Sequence, residues 1–302
     1  MEVNKVVFFE PKVRYYFMGV AILLVILHHC LCARGCSSLV YSFFGGIFAN
    51  CNVGVNIFFL LSSYGLCFSI ERNSIKKFYF NRIVRIFPVY LFFLLIYFLI
   101  TRDPLFREKV FNAFSMRAVF GDVGVDWYVP CQLFIYAIFP LLYFFMSKFF
   151  QKKYFFFGCF IILLLINYKL YKVVQPKLAY RLSCILSGIV FYYCEKTNNE
   201  KLAFSYCIFS CIFSFLTIAP YSFFYLPLLL LCFVRYGHYP LQGYISMLGK
   251  YSLEIYLAQF IGLETIYRQS SNNMVIDLIN GLCVTVMISF ILIVINKSYN
   301  HI

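Results

Sequence analysis

The sequence predicts an all-α, polytopic membrane helix bundle of about ten transmembrane helices with both termini in the cytoplasm. Three observations predict it. First, 63% of the 302 residues are hydrophobic, 22% aromatic and only 13% charged, whereas a soluble domain is about half apolar and a quarter charged. Second, the apolar residues come in long unbroken runs. Helices satisfy every backbone group internally, as a bilayer requires, and barrel strands would alternate polar with apolar residues. Third, helix breakers fall between the runs, among them Pro104, Gly121, Gly124, Pro176, Pro220, Gly237 and Pro240.

A span needs about 20 predominantly apolar residues. Ten candidates follow in order: 15–32, 52–70, 86–101, 127–146, 154–168, 178–194, 202–218, 221–235, 251–268 and 274–296. The fifth and eighth are short. An even count leaves both termini on one side. With the termini inside, 16 of the 26 Lys and Arg residues fall in inner segments and 10 in outer ones, the sense of the positive-inside rule. The loop 71–85, with Arg72, Lys76, Lys77, Arg82 and Arg85, contributes most, and the loop with Lys169, Lys172 and Lys177 opposes it. The first run follows Lys5, Lys12 and Arg14, as a signal peptide would. It ends in His28-His29 without a small-x-small cleavage site, so it reads as an uncleaved first helix. Residues 1–302 read as one integral-membrane domain with no separate soluble domain. The stretch 102–126 is the longest between spans and reads as an outer loop that contributes to a site.

The net charge of +14 sits in short loops between apolar runs, which points to membrane orientation and away from nucleic acid. The 13 cysteines lie mostly within apolar runs such as Phe204–Phe215, with no CxxC pair and no His/Cys ligand spacing. They read as small hydrophobes, with neither a disulfide framework nor a metal site.

Polar residues at membrane depth carry the functional reading, because an ionisable group there is expensive and marks a site by default. His28 and His29 end the first run. Neighbours on a helix point about 100° apart, so one can face the bundle interior while the other meets the headgroups; capping of the helix end by both is the rival reading. In Gly54–Gly65, Asn56 and Ser62 sit in an apolar helix, where helix packing is the simpler account. Arg82 and Arg85 are three apart and share a helical face at the inner edge. They suit phosphate oxygens of a lipid or a nucleotide-bearing cofactor, or plain positive-inside anchoring. Asp126, Trp127 and Tyr128 open the fourth span, where an aromatic belt sits and where Asp126 can meet a histidine at the same level. Ser252, Tyr256 and Gln259 form one polar stripe, with Glu254 on another face. Such a stripe lines a cavity or packs between helices.

In this order the segments resemble the acyltransferase-3 family of membrane acyltransferases. Its first helix opens with Arg-Gly and places a His eleven residues after the Arg; here Met18-Gly19 leads to His29, with Met18 in the Arg position and Arg14 one turn earlier. Gly54 to Ser62 is similar to its Gly-Val-Asp-hydrophobic-Phe-Phe-x-x-Ser segment, with Asn56 for Asp and Ser63 where Gly is usual. Phe78 to Pro88, with Arg82-x-x-Arg85, resembles its basic loop. Trp127-Tyr128, Tyr136 and Pro140 resemble a Trp…Tyr…Pro span. Leu248-Gly249-Lys250-x-Ser252 with Ile255-Tyr256-Leu257 resembles a late span, where Gln259 stands at a position many members fill with His.

The resemblance implies a ten-helix bundle with cytoplasmic termini in the bacterial inner membrane, and a bacterial source also suits the Phe, Tyr, Ile and Lys usage. It implies an O-acetyltransferase, with acetyl-CoA as donor and, as acceptor, a hydroxyl of a cell-surface polysaccharide such as O-antigen or capsule, or of its lipid-linked precursor. His29 is then the catalytic base, or carries the acyl group covalently, and Arg82 and Arg85 hold the CoA phosphates. His28, Asn56, Ser62, Asp126, Trp127, Tyr128, Ser252, Tyr256 and Gln259 are substrate or cavity candidates. The rival readings are a non-enzymatic exporter or flippase, and a polymerase, of lipid-linked glycans.

Overall fold

The computed structural model describes residues 7–32, 51–149, 158, 178, 181–216, 222–267 and 274–300. Every regular element among these is helical. In chain order they are α1 (Pro11–Cys32), α2 (Val53–Arg72), α3 (Ile75–Thr101), α4 (Phe106–Phe114), a 3-10 turn (Arg117–Phe120) and α5 (Tyr128–Phe149). Then come α6 (Leu182–Lys196), α7 (Glu200–Leu216), α8 (Ser222–Tyr236), α9 (Gln242–Lys250), α10 (Ser252–Gln259), a π-helical continuation (Phe260–Tyr267) and α11 (Met274–Asn300).

Five of these helices are long and apolar enough to cross a membrane: α1, α2, α3, α5 and α11. The expected sixth, seventh, eighth and ninth spans coincide with α6, α7, α8 and α10 plus its continuation, all shorter. The expected fifth span, 154–168, lies outside the described residues except at Gly158. Three short elements lie in stretches outside the expected spans. α4 and the 3-10 turn fold within 102–126, and α9 precedes the ninth span. α3 begins well before its apolar run, so Arg82, Arg85 and Pro88 all lie inside one continuous helix.

Exposed faces carry the lipid signature. On α3, Leu91, Leu95 and Leu99 are exposed at helical spacing; on α11, Val286, Met287, Phe290, Ile291 and Val294 are. In water such stripes would be a liability, and in hydrocarbon they are the expected surface.

The described chain forms two compact units. The first comprises Met1–Glu10, Phe59–Phe80 and Pro104–His238. Its core helix is α6, buried from Ser183 to Glu195. Gly188 lets α6 approach α2 so closely that an added Cβ would run into the Leu60 carbonyl and the Ser63 hydroxyl. Further along the pair, the Phe68 and Tyr192 rings meet edge-on at 4.7 Å, and Lys196 pairs with Glu71. α5 follows the same direction: Tyr128 packs on Phe59 near its start, and Tyr143 donates to Glu71 at 2.7 Å near its end. The three helices α2, α5 and α6 therefore run parallel, and α5 ends at the opposite end of this unit from where α6 begins.

The second unit comprises Pro11–Phe58, Asn81–Asp103 and Tyr239–Ile302. α9 lies antiparallel to α1: the backbone at Gly19 meets Ile245, and that at Gly249 meets Tyr15. Neither glycine position has room for a Cβ. α10 and its π continuation run antiparallel to α11, with Glu254 beside Asn296 and Gly262 against Gly281 and Thr285. They run parallel to α3, whose Phe93 and Tyr97 rings meet Phe260 at 6.1 and 6.2 Å.

Candidate functional site

The sequence-predicted residues divide between the two units. His28, His29, Asn56, Arg82, Arg85, Ser252, Tyr256 and Gln259 belong to the second; Ser62, Asp126, Trp127 and Tyr128 belong to the first.

In the second unit, α1 carries the histidines at its end. The rings of His28 and His29 lie 5.6 Å apart, tilted by 51°. Both residues are half-buried, and the Nδ1 of His29 is withdrawn from solvent. Gly54, opening α2, packs against Ala21 and Val25 of α1. His29 stands one turn beyond Val25, about 6 Å along the axis. Asn56, two residues into that approach, is 0% exposed. The Met18 position is half-buried, and the Arg14 guanidinium one turn earlier lies over the Tyr15 ring at 5.7 Å.

The basic pair sits at the other end of this unit. Arg82 is half-buried with its Nε withdrawn, and Arg85 is exposed. The Arg85 charge acts on Glu254, which is 2% exposed and accepts a hydrogen bond from the Asn296 side-chain amide. Lys250 and Lys297 both lie 5.7 Å from the Tyr251 ring. Three stretches far apart in sequence thus bring cations to one end, a fit for the phosphates of a ligand arriving from water.

Between the two ends runs α10. Ser252, Tyr256 and Gln259 are all buried, as the stripe requires, and so is Glu254 on its other face. A helix buried on several sides is enclosed by protein rather than lipid. Sequence periodicity assigned Glu254 to a separate face; its Asn296 partner, 42 residues away, leaves no local signal.

In the first unit, Asp126 caps α5 by accepting the Val129 N–H at 3.2 Å. The residue is 4% exposed, and its Oδ2 has no hydrogen-bond partner among the described residues. Burial pushes this carboxyl up to about 7, against the cap hydrogen bond that favours its charged form. The Trp127 ring is covered at 4.9 Å by the buried Arg181 guanidinium, a cation–π contact that sequence reading missed. Ser62 accepts a hydrogen bond from Gln132 at 2.9 Å. At the unit's far end, Glu195 accepts from the Tyr64 hydroxyl and from the Phe8 backbone N–H at 3.1 Å.

The family model described as an acyltransferase domain matches residues 16–294. No curated protein and no solved structure matches the chain.

Proposed function

We propose that this chain, which belongs to the acyltransferase-3 family, moves an acetyl group from acetyl-CoA to a hydroxyl of a cell-surface polysaccharide or its lipid-linked precursor. The family match over residues 16–294 carries the reading, since it encloses every residue assigned a role. The chain works as a multi-pass protein of the bacterial inner membrane, with ten spans and cytoplasmic termini.

The half-buried His29 acts as general base. A neutral imidazole accepts the proton of the acceptor hydroxyl as its oxygen attacks the thioester carbon; the C–S bond breaks and the thiolate leaves. The donor needs no further activation, so positioning supplies most of the remaining acceleration. Arg82 and Arg85 receive the CoA phosphates at the water-accessible end of the second unit, with the buried Glu254 within reach of the Arg85 charge.

Replacement of His29 by Ala in the host tests this reading. Loss of O-acetyl groups with normal glycan amount and length, seen by NMR of the surface polysaccharide, is the expected result. Loss of the polymer itself would point to an exporter or polymerase instead.

A further inference from the structure

Gln259 presents a problem that packing does not solve. It is 0% exposed, and neither its Nε2 nor its Oε1 has a hydrogen-bond partner among the described residues. Each buried polar atom left unmatched is costly, because it gives up water and receives nothing. A Leu or Met would fill the same space without that cost. Within the same unit the amide of Asn296 has found the Glu254 carboxylate, so the fold does match such groups where they serve packing.

The backbone changes character at the same place. α10 ends at Gln259, and the chain continues as a π-helix from Phe260 to Tyr267. π segments are rare and frequently mark functional sites, because the wider turn shifts the register of side chains beyond it. Here the shift follows directly on Gln259, while Phe260 meets Phe93 and Tyr97. Gln259 lies five residues beyond Glu254, about 7.5 Å further along the helix axis from the level where Arg85 acts. α1, the helix of His29, packs against both α10 and the π segment.

We infer that Gln259 binds an amide of the pantetheine arm of the acyl donor. A carboxamide with both its donor and its acceptor unmatched is complementary to a second amide, which offers a C=O and an N–H in return. The pantetheine arm carries two amides between its phosphates and its sulfur. An arm whose phosphates rest on Arg82 and Arg85, and whose thioester reaches His29, passes this depth. The inference rests on the donor reading above and adds to it the residue that grips the arm.

The test uses the purified full-length chain in nanodiscs, with CoA and adenosine 3′,5′-bisphosphate as probes; the second carries phosphates and no arm. In Gln259→Leu, CoA affinity falls about ten- to a hundredfold and bisphosphate affinity is unchanged. Thermal stability without ligand stays level or rises, because an unmatched polar group has been removed; a Gln serving only the fold would lose stability instead. Equal loss for both probes, or loss for neither, overturns the inference. If CoA affinity holds while use of the acceptor falls, the amide serves the acceptor hydroxyl and the inference is again overturned. A wild-type chain that binds neither probe fails the donor reading itself, and the inference with it.

Discussion

The two units treat their buried polar groups differently. At one end of the first unit, Glu71 takes Lys196 and Tyr143, and Glu195 takes Tyr64 and the Phe8 backbone. Deeper in, Ser187 pairs with Tyr206 at 2.8 Å. These networks tie α2, α5 and α6 together at that end of the unit. The second unit contains His29, Arg82 and Arg85, together with the Gln259 amide, which has no hydrogen-bond partner among the described residues. A bundle in lipid gains no hydrophobic drive for helix association, so packing and internal hydrogen bonds must hold it.

The largest effect is expected from Gly188→Ala. The new Cβ meets backbone and hydroxyl atoms of α2 rather than a movable side-chain tip, so we expect a loss of about 3 kcal/mol or outright failure to fold. Thermal unfolding in detergent measures it. Gly243→Ala is the control, because nothing lies near its Cβ. Molecules of Gly188→Ala that do fold should keep wild-type CoA affinity, since the donor residues belong to the other unit. Weakened CoA affinity in the folded fraction would break the comparison.

The next effect concerns Asp126. Its folded carboxyl titrates near 7, above the ordinary value of about 3.9. The folded state therefore holds the proton more tightly than the unfolded one. This contribution to stability is full below about pH 4 and is lost as pH rises towards 7. Asp126→Asn can still cap α5 and has no such titration. We expect wild-type stability to fall between about pH 4 and pH 7, and the Asn variant to flatten that fall by roughly 2 kcal/mol after relaxation around the charge, read by melting at each pH. Parallel pH profiles for the two would show that Asp126 is solvated.

The smallest effect is expected from Arg85→Ala. An exposed arginine on a phosphate contributes about 1.4 kcal/mol, or tenfold in the KM for acetyl-CoA, with kcat little changed. An unchanged KM would remove Arg85 from the donor site and leave it as an anchor.

Much of the fold was legible in the sequence because lipid imposes a simple code. Long apolar runs became α1, α2, α3, α5 and α11, and the breakers at Pro104 and Gly237–Pro240 fell between helices. The short α4 and α9 were not legible, since each is only nine residues, below the length at which hydropathy separates a helix from a connection. The ordered motifs gave the family and nominated His29, Arg82 and Arg85 together. What stayed hidden was pairing at long range. Glu254 with Asn296, Arg181 over Trp127, and Phe8 on Glu195 each join segments that no local pattern links. The Gln259 amide is hidden for the same reason, because only the packed helix shows that no partner among the described residues reaches it.

The central proposal is that this chain moves an acyl group from CoA with His29 as the general base, and one measurement tests it most directly. Wild-type and His29→Ala chains, reconstituted in vesicles with lipid-linked glycan, are given acetyl-CoA labelled in the acetyl group. The account predicts base-labile label on the glycan with the wild type, and a loss of at least about a hundredfold in rate with the variant, while CoA binding is retained. Transfer at the wild-type rate by His29→Ala would contradict it.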